Sequence, residues 1–137
     1  MVCTYCGSPT QVTNSRLQKR ANQVWRRRQC TVCGNNFTTH EILEFGSTIA
    51  VRRSARELQP FSRDLLFTSV YESCKHRTEA VSDATAFTQT IIGALRDHLQ
   101  EGVLDRNAIV TVTAGVLEHF DRSAATIYNA YHPATKN

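Results

Sequence analysis

Four cysteines in two C-x-x-C pairs, Cys3-Thr4-Tyr5-Cys6 and Cys30-Thr31-Val32-Cys33, constrain this chain more than any other feature. Each pair aims two thiolates at one ion, and two pairs complete the four-sulfur tetrahedron of a structural zinc site. The 23 residues between the pairs give room for two strands joining two knuckles, which is a zinc ribbon. Gly7 and Gly34 each follow a second cysteine, where they can supply the tight turn a knuckle needs. One zinc per chain on Cys3, Cys6, Cys30 and Cys33 is the expectation. A disulfide framework would need an oxidising compartment, yet Cys3 falls where a secretory leader would begin. A redox C-x-x-C would precede a helix in a βαβ pattern, and none is visible here. Cys74 has no C-x-x-C partner. It continues a Leu66, Val70, Cys74 stripe at helical spacing and reads as core.

Charge divides the chain in two. Residues 1–40 carry Arg16, Lys19, Arg20, Arg26, Arg27 and Arg28 and no Asp or Glu, a formal +6. Residues 41–137 hold ten Lys or Arg against all 12 acids, a formal −2. Four thiolates around a dication leave about +4 on the first module. Such a concentrated basic module points to a polyanion partner. No helical apolar stripe flanks the arginines and no apolar run approaches spanning length, so a membrane is not expected.

About forty residues cannot bury enough apolar surface alone, so the metal must contribute folding energy to the ribbon. The boundary is expected between Glu41 and Gly46, giving a zinc ribbon over 1–44 and a second domain over 45–137. Thr48 to Arg53 alternates like a strand, and Ser54 to Gln59 reads as a turn. Pro60-Phe61 then opens a helical stretch through Tyr71. Ser82 or Asp83 can cap a second helix with Ala84, Phe87, Ile91, Leu95 and Leu99 on one face, ended by Gly102. Asp105 can cap a third with Ile109, Val112, Val116 and Phe120 on one face. A fourth carries Ala124, Ile127, Tyr128 and Tyr131, and Pro133 stops it. His40, His76, His98, His119 and His132 show no nucleophile or ligand spacing, and no enzyme is expected.

The segment Val24-Trp25-Arg26-Arg27-Arg28-Gln29-Cys30, then Val32-Cys33 and Phe37-Thr38-Thr39-His40-Glu41, resembles the zinc ribbon of the NrdR family. Those proteins are bacterial transcriptional repressors of ribonucleotide reductase genes. Asn14-Ser15-Arg16 resembles the family's D-S-R element. Val51-Arg52-Arg53-Ser54 and Pro60-Phe61-Ser62-Arg63 are similar to the start of the family's ATP-cone. The resemblance implies an α+β protein: an N-terminal rubredoxin-like zinc ribbon followed by a mostly helical ATP-cone with a β-hairpin cap. It implies ATP or dATP as regulatory ligands at Val51, Arg52 and Arg53, a homo-oligomer, operator DNA as partner, and a place on the nucleoid in the bacterial cytoplasm. A phosphate-binding lysine of the family falls on Arg53 without gaps, or on Arg52 with one insertion; either arginine can hold phosphate bidentately. A second family lysine falls on Leu65 and the acid before Pro-Phe on Gln59.

On this reading Arg26, Arg27 and Arg28 contribute most to DNA binding, one or two of them at guanine edges, with Arg16, Lys19 and Arg20 on phosphates. Useful specificity needs two or more copies on repeated half-sites, which the second domain would arrange. The alternative is a constitutive nucleic-acid-binding ribbon whose helical domain only oligomerises.

Overall fold

The computed structural model describes residues 1–19 and 22–133. The chain divides into two compact units, Met1–Glu44 and Phe45–Asn137. In the first, β1 (Thr10–Gln18), β2 (Gln23–Cys30) and β3 (Asn36–Ile42) form an antiparallel meander in the order β1-β2-β3. A bulge between Val12 and Asn14 shifts the β1–β2 register. The Thr13 hydroxyl there donates to the Arg27 carbonyl at 3.3 Å. One knuckle precedes β1 and the other joins β2 to β3.

The second unit begins with a single helical turn, α1 (Phe45–Thr48), followed by β4 (Ala50–Ser54) and β5 (Glu57–Pro60). The strand expected from Thr48 therefore starts at Ala50, and Ile49 is buried ahead of it. The turn expected over Ser54 to Gln59 is shorter than that, because Glu57–Pro60 pairs with β4. Its polar composition conceals a strand whose every residue is exposed. Four longer helices follow: α2 (Arg63–Cys74), α3 (Ala80–Leu95), α4 (Arg106–Phe120) and α5 (Arg122–Tyr131).

Helix starts follow the caps. The Ser62 hydroxyl accepts from Leu65 N, so α2 begins after Pro60-Phe61 rather than at it. Asp105 caps α4 and Asp121 caps α5, accepting from Asn107 N and Ala124 N. Helix α3 starts earlier than its expected cap: Ala80 is its first residue, Glu79 makes no side-chain cap bond, and Ser82 lies inside. It also stops earlier, at Leu95, where a 3-10 turn (Arg96–His98) takes over. Gly102, at φ +79°, instead leads into β6 (Val103–Asp105), which pairs in parallel with β4. Three residues carry too little alternation to be read as a strand, so that pairing was not legible.

Ile49, Phe61, Leu66, Val70, Cys74, Ala84, Phe87, Ile91, Leu95, Leu104 and Leu117 belong to one core beneath the β5-β4-β6 sheet. Cys74 is fully buried, as its stripe predicts. The stripe of α4 is turned by one residue from the expected face: Val110, Thr113 and Leu117 are buried, whereas Val112 and Val116 are half-buried and Phe120 is exposed. Phe120 stacks on Phe87 with ring centres 5.4 Å apart, which explains an apolar residue at that edge. The α+β class, with an N-terminal strand-built ribbon and a mostly helical second part, is the observed one.

Candidate metal centre and nucleic-acid interface

Both knuckles fold alike because both have the same local sequence logic. Cys3 N donates to Ser8 O at 2.8 Å and Cys30 N to Asn35 O at 2.9 Å, the same spacing along the chain. Gly7 and Gly34 both sit at φ +72° with open space where a Cβ would project. It is the left-handed backbone, not crowding, that calls for glycine. Thr31 then ties one knuckle to the other, its N–H and hydroxyl both donating to Pro9 O.

The four ligand atoms of Cys3, Cys6, Cys30 and Cys33 all lie within 4.8 Å of one another. Cys3 Sγ is 3.7 Å from Cys33 Sγ, and Cys6 Sγ is 3.5 Å from Cys30 Sγ. A tetrahedron with zinc–sulfur bonds of about 2.3 Å has edges of about 3.8 Å, so one zinc fits this set. Amide donors converge on the sulfurs as thiolates require: Val32 N and Cys33 N on Cys30 Sγ, and Tyr5 N on Cys3 Sγ, each at 3.4 Å. The Ser8 hydroxyl and amide hold the Cys6 thiol down at about 6. The Cys33 and Val32 amides hold Cys30 below its ordinary value. Second-sphere donors of this kind orient ligands and stabilise their charge.

The arginine strand is β2. Side chains alternate along it, so Arg26 and Arg28 share one face of the sheet and Arg27 lies on the other with Trp25. Arg26 is engaged: its Nε and Nη2 donate to the two Glu41 carboxylate oxygens at 2.8 and 3.0 Å. That bond first, and the charge second, raises the Arg26 pKa, and the same contact lowers that of Glu41. Arg28 Nε donates to Thr39 Oγ1 at 3.2 Å. Arg27 is exposed. Arg16, opposite Trp25 in the register, lies with Cζ 5.9 Å from the Trp25 ring centre. Lys19 is exposed just past β1. Arg20 lies outside the described residues. The ribbon arginines thus share one small sheet but not one face. Sequence reasoning missed Glu41 as the partner of Arg26. The available signal was that Glu41 is the first acid of the chain.

In the second unit, Val51 and Arg53 line an apolar cavity of about 190 Å³ with Phe61, Leu65, Leu66, Arg106, Ile109 and Tyr128. Ser69 and His132, also at this cavity, meet at 2.7 Å between Oγ and Nε2. Burial first and the Arg106 charge second push His132 below its ordinary value. Arg52 does not line this cavity. It borders an open polar groove of about 580 Å³ together with Arg53, Ser54, Asp105, Arg106 and Asn107. Arg53 and Arg106 border both, so cavity and groove adjoin. Arg106, Tyr128 and His132 are far from Arg53 in sequence, and no local motif marks them. Leu65 brings no charge to the cavity rim.

Residues 1–41 match the family described as Transcriptional repressor NrdR-like, N-terminal domain. Similar proteins bear the name Transcriptional repressor NrdR. One from Symbiobacterium thermophilum is 35% identical over 103 residues, covering 75% of this chain and 68% of that protein. One from Syntrophotalea carbinolica is 34% identical over 102 residues, covering 74% of this chain and 62% of its own length. One from Pseudarthrobacter chlorophenolicus is 29% identical over 136 residues, covering 96% and 78%. The chain therefore spans from under two thirds to over three quarters of the relatives it matches. Among the described residues no helix is long and apolar enough to cross a membrane. With a four-thiol knuckle pair, an arginine strand and alignment through both units, the chain belongs to the NrdR family of transcriptional repressors.

Proposed function

We propose that this protein is a zinc-stabilised DNA-binding repressor of ribonucleotide reductase genes whose operator affinity responds to ATP or dATP. The observation that carries the reading is the four-sulfur cluster holding an arginine-rich sheet in which no acid precedes Glu41. Zinc on Cys3, Cys6, Cys30 and Cys33 supplies the folding energy that so small a sheet lacks. Arg16, Lys19, Arg20 and Arg27 neutralise phosphates of duplex DNA, and a guanidinium fork can read guanine N7 and O6. One ribbon has a small footprint, so repression requires a homo-oligomer on repeated half-sites. This regulator would work in the bacterial cytoplasm, on the nucleoid.

The cavity beside Val51 supports an adenine site. Its largely apolar lining, with Val51, Phe61, Leu66 and Ile109, suits a purine base. Phosphates would then lie in the adjoining groove, where Arg52, Arg53 and Arg106 converge. Nucleotide binding shifts DNA affinity only if it favours one assembly over another, and the coupling is reciprocal. A second reading, a constitutive DNA-binding ribbon whose helices only oligomerise, is favoured by Leu65, which puts an exposed aliphatic chain where the family has a lysine. Solution mass and binding to the promoter of a ribonucleotide reductase gene, each with no nucleotide, ATP and dATP, test both. Mass and affinity that change together support the sensor. Promoter binding with neither change supports the constitutive ribbon, and no promoter binding refutes both.

A further inference from the structure

The two faces of the ribbon sheet differ in what their arginines are free to do. On one face lie Arg26, Arg28 and Glu41 with the apolar side chains of Leu17, Val24 and Phe37, by the pairing of β2 with its neighbours. Glu41 takes the Nε–Nη2 fork of Arg26 bidentately, which is the geometry a phosphate or a guanine edge would need. Arg28 spends its Nε on Thr39. On the other face lie Arg16, Trp25 and Arg27, with Asn14, Thr38 and His40 paired beside them. That face has no acid in its sequence. No carboxylate among the described residues pairs with Arg16 or Arg27.

Arg16 is held differently from Arg26. Its guanidinium Cζ lies 5.9 Å from the centre of the Trp25 ring, a cation–π contact. Among the described residues none accepts a hydrogen bond from its five N–H donors or pairs with its charge. Trp25 thus limits the motion of Arg16 without occupying its donors. Arg16 sits opposite Trp25, and Arg27 is two residues further along β2, a diagonal of about 7–8 Å between Cα atoms. Outer strands of a three-stranded sheet are about 10 Å apart, close to the width of about 12 Å of the B-DNA major groove.

We infer that the Trp25 face of the sheet is the surface that meets duplex DNA, with Arg16 and Arg27 as its two contacting cations and the Arg26–Glu41 pair an internal strut on the opposite face. This rests on the DNA-binding reading given above. Charge complementarity selects the occupant: two free forks on one acid-free face suit a polyanion, while the opposite face pairs its charge and adds exposed aliphatic surface.

The test measures binding of the full-length, zinc-loaded protein to a duplex bearing a ribonucleotide reductase promoter, to an unrelated duplex of equal length, and to a hairpin RNA. Arg27→Gln and Arg16→Gln are each expected to weaken promoter binding roughly tenfold or more and to lower the salt slope by about one. Arg16→Lys keeps the charge and loses the fork; a loss of promoter preference with unrelated-duplex binding intact assigns Arg16 to a base edge. Arg26→Gln and Glu41→Gln are expected to change binding less than about threefold and to leave the slope alone. The inference is overturned if Arg26→Gln is the most damaging change and Glu41→Gln tightens binding by freeing Arg26, because DNA then uses the other face. Zinc content of each variant separates a lost contact from a lost fold, and Arg27→Lys, which should recover the slope, repeats the test if Arg27→Gln loses metal. Wild-type protein that binds neither duplex refutes the DNA-binding reading itself, and equal or tighter binding of RNA refutes duplex DNA as the occupant.

Discussion

Asp121 pins the junction of three helices, and replacing it should destabilise the second unit by an amount that depends on pH. Its Oδ1 accepts from Ala124 N at 3.0 Å as the cap of α5. Its Oδ2 accepts from Arg77 Nη1 at 2.6 Å and meets His76 Nε2 at 3.1 Å. Arg77 in turn donates from Nε to Asp83 in the first turn of α3, at 2.6 Å. The Asp121 side chain is 11% exposed. Burial alone would raise its pKa, but the Ala124 amide, then Arg77 and His76, bring it from 3.8 to about 2. At about 1.36 kcal/mol per unit the ionised form is stabilised by ~2 kcal/mol relative to an unfolded carboxylate. A lost cap alone costs roughly 1 kcal/mol, and the two figures overlap because both include the Ala124 bond. Asp121→Ala should therefore cost about 2–3 kcal/mol at pH 7, and Asp121→Asn about 1–2 kcal/mol, since an amide oxygen still caps. The folded pKa lies below the unfolded one, so the stabilisation is complete above about pH 5. It fades as pH falls through 4 toward 2, and about half is gone by pH 3. Urea unfolding followed by the helical CD band reads this unit, because all four long helices lie in it. A loss under about 0.5 kcal/mol at pH 7, or an Asp121→Asn gap as large at pH 3 as at pH 7, would refute the argument.

Cys30→Ser should release the zinc, unfold the ribbon and abolish DNA binding, whereas Cys74→Ser should cost roughly 1–3 kcal/mol in the second unit and leave the metal bound; metal analysis and CD separate the two. Gly34→Ala places a Cβ at φ +72° and should weaken the ribbon by about 1 kcal/mol, seen as faster zinc loss to a chelator. If the cavity binds adenine nucleotide, Arg53→Ala and Arg106→Ala should each weaken calorimetric ATP binding at least tenfold, and Arg52→Ala less, because only the first two border both cavity and groove. Equal losses for all three would shift the site outward into the groove.

Whatever depends on neighbours along the chain was legible without coordinates. Two C-x-x-C pairs with trailing glycines specify a four-sulfur knuckle pair, because both the chelate geometry and the positive φ are set within five residues. Helix α3 shows Ala84, Phe87, Ile91 and Leu95 at steps of three and four, and all four are buried. Asp105 as a cap needed only the residues that follow it. What depends on neighbours in space was not legible. An arginine triplet looks like one cluster in sequence, but the two-residue pleat sends Arg27 to one face and Arg26 to the other, where β3 delivers Glu41. β6 is three residues long and exists only because β4 offers a parallel edge. The cavity draws Val51, Arg106 and Tyr128 together from three separate elements. Spacing along a chain fixes local chemistry such as thiolate pairs, caps and helix faces; which charges remain free and which cavities form is decided by strand register and helix packing, contacts between residues far apart in sequence.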